Sequence, residues 1–247
     1  MAFLSPDNVR YDNGVKICEK IIPDSAVWNR DVKEGGYTYR KGTTYKANRP
    51  LSAIKGVTIH NTGRIKIPKG TTMAEQYTRA TYPNCNMGSV RVHYYVDENE
   101  AWQNLDEGEV GWHAADGNYG PGNSTTIAIE IIMDGTDAEY NRIAEDNGAR
   151  LCAAILKRHG LDENAVYQHH DWYARKDCPA YIRPHWSAFL ALVRQYLNDD
   201  TQAPSDYDKL VAELEDIKEK YRTEHASAQA LRGRILAAVE QYDTVAK

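Results

Sequence analysis

The sequence predicts an α/β domain whose sheet is covered by helices. Three observations lead there: short runs rich in Val, Ile and Tyr alternate with segments of helical apolar spacing, two of those segments open with capping boxes, and 42% of the 247 residues are hydrophobic, enough for a proper core. Residues 1–50 lack sustained periodicity and read as an irregular lead-in with one short strand near Val15–Ile22. Val57–His60 is a short apolar strand, and Thr72-Met73-Ala74-Glu75 is a capping box whose hydroxyl and carboxylate satisfy the free amides of a new helix. Val90–Val96 and Ile127–Ile132 have strand composition. A second box, Thr136-Asp137-Ala138-Glu139, opens a longer helix with Tyr140, Ala144, Leu151, Ile155 and Leu156 on its apolar face, closed by Gly160. The last helix of this body begins near Pro184 and turns Trp186, Phe189, Val193 and Leu197 to one side.

The chain divides by composition into a body, 1–200, and a segment, 201–247, that begins with linker residues. NDDTQAPS at 198–205 is polar and contains Pro, and beyond it apolar residues from Tyr207 to Val245 recur in alternating steps of three and four. That heptad-like C-terminal helical extension predicts either a coiled coil that makes a homo-oligomer or a hairpin broken near 223–227. Its seven basic and nine acidic side chains do not make it a basic wall-binding module.

Bulk properties exclude several functions. Lys and Arg number 30 against 35 Asp and Glu, a formal charge of −5, so there is no basic field for nucleic acid. The longest apolar stretches, such as Leu151–Leu156, run six residues, far short of the roughly 20 that membrane insertion needs. The start MAFLSPDNVRYDNG has no basic residues followed by an apolar run, which predicts cytoplasmic synthesis without a signal peptide. Cys18, Cys85, Cys152 and Cys178 are too few and too scattered for a disulfide scaffold.

Hydrolytic metal centres need three protein ligands on rigid elements and an open fourth position. The segment from Tyr167 to Pro179 offers two adjacent histidines, His169 and His170, and Cys178 ahead of a proline. His60, at the end of a short strand, is a third candidate. Glu130 is a charged residue inside an otherwise apolar strand, a costly placement unless it is paired or functional. The Gly-rich loop GWHAADGNYGPGN carries His113, Asp116 and Asn123, candidates for gripping a ligand, whereas His93 reads equally as a packed strand residue.

VTIHNT at 57–62, VHYYVDENEAWQ at 92–103, GWHAADGNYGPGN at 111–123, IAIEI at 127–131 and HHDWYARKDCP at 169–179 together resemble the zinc-dependent N-acetylmuramoyl-L-alanine amidases of phage endolysins, bacterial autolysins and, more distantly, peptidoglycan-recognition proteins. The resemblance covers about 50–198 and implies a central mixed β-sheet flanked by helices. It implies that His60, His169 and Cys178 bind zinc, with His169 selected over His170 by its position before the Asp-Trp pair. It further implies that Glu130 is the general base, that Lys176 steadies the oxyanion, and that His113 and Asn123 contact substrate. The expected reaction is hydrolysis of the amide between N-acetylmuramic acid and L-alanine in bacterial peptidoglycan. The expected setting is an endolysin that acts on the wall after holin-dependent release, with an autolysin exported by other means second. Two rival readings are a non-catalytic peptidoglycan-binding module and a cysteine peptidase with Cys178 as nucleophile.

Overall fold

A computed structural model describes residues 3–34 and 36–199. The chain divides into two units, Met1–Thr201 and Gln202–Lys247. The second unit, with most of the linker and all of the heptad-like stripe, lies outside the described residues.

Seven strands form one mixed sheet in the order β1-β2-β7-β6-β8-β5-β9. They are β1 (Asn8–Asp12), β2 (Val15–Glu19), β5 (Gly56–Thr62), β6 (Tyr94–Val96), β7 (Ala101–Gln103), β8 (Thr126–Ile132) and β9 (Val166–Gln168), while β3 (Val32–Glu34) and β4 (Tyr37–Tyr39) pair as a separate hairpin. Strands β6, β8, β5 and β9 run parallel, so their C-terminal ends share one edge. In open α/β sheets that edge is where ligands bind.

Residue alternation sorts the two faces. Ile127, Ile129 and Ile131 point one way and are fully buried. On that side lies α3 (Ala138–Arg158), which comes so close that a Cβ on Gly148 would press into the Ile131 side chain. Helix α5 (Trp186–Asn198) packs in turn on α3, burying Phe189 and Val193. The opposite face is covered in two places. Helix α1 (Met73–Thr81) lies over β6 and β7, with Tyr77 stacked on Tyr95 at 5.3 Å between ring centroids. Short helix α4 (His169–Trp172) lies over β5, where Trp172 Nε1 donates to Thr58 Oγ1 at 2.9 Å. The gap between α1 and α4 exposes the ends of β5 and β8.

Several sequence expectations need correction. The lead-in is not irregular: β1 and β2 form a hairpin that joins the main sheet through parallel pairing of β2 with β7. Its turn is Asn13-Gly14, both at positive φ (50° and 78°), a conformation that Asn and Gly adopt readily. That dipeptide is a legible hairpin signal. The strand expected at Val90–Val96 shrinks to Tyr94–Val96, because Arg91 turns inward, its guanidinium over the Tyr45 ring and its Nε bonded to the Tyr45 carbonyl at 2.9 Å. Helix α3 is capped by Asp137 rather than Thr136: Asp137 Oδ1 accepts from Tyr140 N at 3.0 Å, and Thr136 bonds to Asp134 instead. Pro184 sits in a 3₁₀ turn, Arg183–His185, one step ahead of α5. Strands β7 and β9 are three residues each, too short for periodicity to reveal. All four cysteines are free and buried.

Candidate active site

Parallel register places His60 opposite Glu130 and Glu130 opposite Tyr95, so one row across β5, β8 and β6 faces the gap between α1 and α4. Strand β9 pairs with β5 and ends at Gln168, which delivers His169 beside His60; the two rings are 4.6 Å apart. The backbones approach closely enough that a Cβ on Gly56 would strike the Ala165 carbonyl oxygen. Cys178 returns to the same point, its Sγ 3.8 Å from His60 Nδ1. Ligand atoms of His60, His169 and Cys178 all lie within 4.8 Å of one another, and all three residues are buried. The sequence-predicted triad is therefore brought together, from positions more than a hundred residues apart.

The chemistry of this cluster fits a cation. Both ring nitrogens of His169 are buried without a hydrogen-bond partner among the described residues. Two neutral imidazoles and a sulfur at this spacing are a donor set suited to tetrahedral Zn²⁺. Burial, reinforced by the Lys176 charge, holds His169 down to about 4. Burial and the neighbouring histidines hold His60 well below the usual histidine range. Neutral rings are the form that ligates a metal.

Glu130 sits next in the row, its Oε2 buried without a partner. Burial pushes its carboxyl up to about 7, against the pull of the Lys176 ammonium. Lys176 is exposed on the loop between α4 and Cys178 and lines a cleft of about 520 Å³ together with His113, Asn123 and His169. Its loop is clasped by His170, whose Nδ1 is 3.1 Å from the Lys176 carbonyl and whose backbone N–H donates to the Cys178 carbonyl at 2.9 Å. His170 thus holds the loop from outside, while His169 points into the cluster.

The Gly-rich loop supplies His113 and Asn123 to the lining of the cleft. His113 is buried, and its Nδ1 lies 3.1 Å from His60 Nε2, leaving His60 Nδ1 for the cluster. Asn123 Oδ1 accepts from the backbone N–H groups of His113 and Ala114 at 2.7 and 2.8 Å, and its Nδ2 donates to the Gly117 carbonyl at 3.0 Å. Asp116 accepts from Gly122 N at 2.6 Å, at the start of α2 (Pro121–Thr125). The Asn123 and Asp116 side chains are engaged in building the loop. His93 is a packed residue: it is fully buried, with its ring between Ala128 N and the Glu109 carbonyl.

Residues 50–181 match the family described as N-acetylmuramoyl-L-alanine amidase. The chain is 32% identical over 145 residues to the N-acetylmuramoyl-L-alanine amidase CwlH of Bacillus subtilis, a match covering 58% of this chain and 55% of that protein. Among solved structures, the catalytic domain of XlyA is 27% identical, with a TM-score of 0.54 over 72% of this chain and 99% of that one. A mutant endolysin from Bacillus subtilis is 28% identical, also with a TM-score of 0.54, over 72% of this chain and 99% of its own. The chain spans about half the length of the curated relatives it matches, 55%, 44% and 46% for the first three.

Proposed function

The chain belongs to the N-acetylmuramoyl-L-alanine amidase family, and from that membership we propose that it hydrolyses the amide between the lactyl group of N-acetylmuramic acid and the L-alanine of the peptidoglycan stem peptide. The observation that carries this reading is the buried His60, His169 and Cys178 cluster with the partner-free Glu130 beside it in register. His60 through Nδ1, His169 and Cys178 Sγ would hold Zn²⁺. When bound, Zn²⁺ supplies Lewis acidity, which makes hydroxide available from water near neutral pH and polarises the scissile carbonyl.

The protein's own groups do the rest. Glu130 Oε2, buried in the row between His60 and Tyr95 with no hydrogen-bond partner among the described residues, takes the proton of the attacking water and returns it to the alanine nitrogen as the bond breaks. A carboxyl raised to about 7 is matched to giving and taking a proton at neutral pH. Lys176 stands at the cleft with its ammonium free to meet the carbonyl oxygen as negative charge develops there. His113 orients the His60 ring through its other nitrogen, and Asn123 sets the backbone that carries His113. Both also line the cleft, where His113 Nε2 is buried without a partner among the described residues, and we propose that they contact substrate as well.

A thiol nucleophile has less support. Burial first, and the Glu130 charge second, push the Cys178 thiol up to about 11, away from the thiolate that attack requires. We assign the biological setting as lysis of a bacterial wall after release of the enzyme from the cell that made it, as the endolysin relationship suggests.

Digestion of purified Gram-positive cell walls, with new amino termini and new reducing ends followed separately, tests this function. Free N-terminal alanine without reducing ends, lost on chelation and in Glu130→Ala, is the expected result. Release that survives chelation identifies thiol chemistry, and wall binding with no release identifies a recognition module.

A further inference from the structure

Two residues of the far wall of the cleft lie outside the segment that matches the family, which begins at residue 50. Tyr37 and Tyr39, two apart on β4 and therefore on one side of the hairpin, line the cleft with Val90, Trp112 and Asn118. Tyr37 is 71% exposed, among the most exposed large hydrophobic side chains described. Its hairpin is nonetheless well anchored. Glu34 accepts from Ser89 N at 2.5 Å, and Tyr39 packs on the buried Trp28 ring at 5.0 Å. Trp28 in turn stands 5.0 Å from the buried Arg91 guanidinium. A large aromatic face is thus held in solvent on a rigid support, where burial would have been the cheaper placement.

The composition of this wall selects its occupant. Lys176, at the metal end, is the sole Lys, Arg, Asp or Glu lining the cleft among the described residues. The lining around Tyr37 offers aromatic faces and the Asn118 amide, and the nearby Glu34 carboxylate, cross-strand from Tyr37, is taken up by Ser89 N. An anionic stem peptide would be matched by cations. A neutral N-acetylated sugar, with an apolar ring face and amide groups, matches what is there. Resting on the proposed amidase reading, we infer that the β3–β4 hairpin is a glycan subsite in which Tyr37 stacks on a sugar ring of the strand next to the N-acetylmuramic acid being cleaved.

Steady-state kinetics of the full chain on two substrates test this: cell walls with intact glycan strands, and a single N-acetylmuramic acid bearing its stem peptide. Tyr37→Ala is expected to raise KM on walls about tenfold, equivalent to about 1.4 kcal/mol, with kcat unchanged and the single-sugar substrate unaffected. Tyr37→Trp is expected to retain wild-type KM. Equal losses on both substrates, or none on either, would overturn the inference. Calorimetric titration with peptide-free glycan strands separates it from the amidase reading, since it needs no turnover. Heat of binding lost in Tyr37→Ala supports the glycan subsite even if the chain releases no alanine. Heat unchanged in that variant, or lost with free stem peptide instead, overturns it.

Discussion

His113 lines the cleft and also meets one of the three clustered residues. Its loop resembles a ligand-gripping turn, and its ring faces His60 at 3.1 Å and lies inside the protein. A ligating histidine that is bonded through its second nitrogen keeps its tautomer and orientation, and loss of such a partner typically costs 10-fold to 100-fold in metal affinity. His113→Ala is therefore expected to weaken Zn²⁺ binding by about 10-fold to 100-fold, measured by competition with a chromophoric chelator. Glu130 makes the complementary case. Glu130→Gln keeps the shape of the row and removes the proton acceptor, so kcat on cell walls should fall at least about 100-fold. Metal content, measured by atomic absorption, should not change. A loss of metal in Glu130→Gln would make that residue part of the binding site rather than the base.

Elements report themselves through their ends. The sequence marks Thr136 as the start of the box that opens α3, one residue ahead of Asp137. Packing decides in favour of Asp137: its carboxylate bonds Tyr140 N at 3.0 Å, and Thr136 is drawn to Asp134, which also takes the Thr136 N–H at 2.8 Å. Asp137→Ala should lower unfolding free energy by about 1 kcal/mol and Thr136→Ala by less than about 0.5 kcal/mol, as read from urea denaturation. The reverse order would place the cap at Thr136. The short strands obey a different logic. Three-residue β9 has no periodicity of its own and exists because β5 offers it a parallel partner, and Gly56 lets the two chains meet. Without that pairing His169 would not arrive beside His60.

The edge hairpin and the body are tied together by charge as well as by pairing. Glu107 is bonded by Arg158 at 2.8 Å and by His159 at 2.7 Å at the end of α3, and Arg158 also reaches Asp12 on β1 at 3.2 Å. Burial would raise the Glu107 carboxyl, but the hydrogen bonds from Arg158 and His159 and the Arg158 charge prevail and bring it down to about 2. A carboxyl held below its ordinary value of 4.5 stabilises the fold at pH above that value, and the contribution disappears as pH falls from about 4.5 toward 2. The shift corresponds to about 3 kcal/mol. Thermal unfolding should therefore show Glu107→Gln well below the wild type at pH 6 and nearly level with it at pH 2. A gap that persists at pH 2 would assign the loss to packing.

Local signals in the chain determine most of the main elements and the ligand set. Val57–His60 and Ile127–Ile132 have strand composition that no tertiary contact needs to supply, and α1 carries its Thr72 cap in its own sequence. His60, His169, Cys178, Glu130 and Lys176 were legible because their motifs resemble those of a known family, and the fold brings the first three to within 4.8 Å. The tertiary structure alone decides which groups His113 and Tyr37 meet. His113 meets His60 from 53 positions along the chain, Tyr37 shares a cleft with Lys176, and no local propensity encodes which group will be met across such a distance. Side-chain type announces what a residue can do; only packing selects which neighbour receives it.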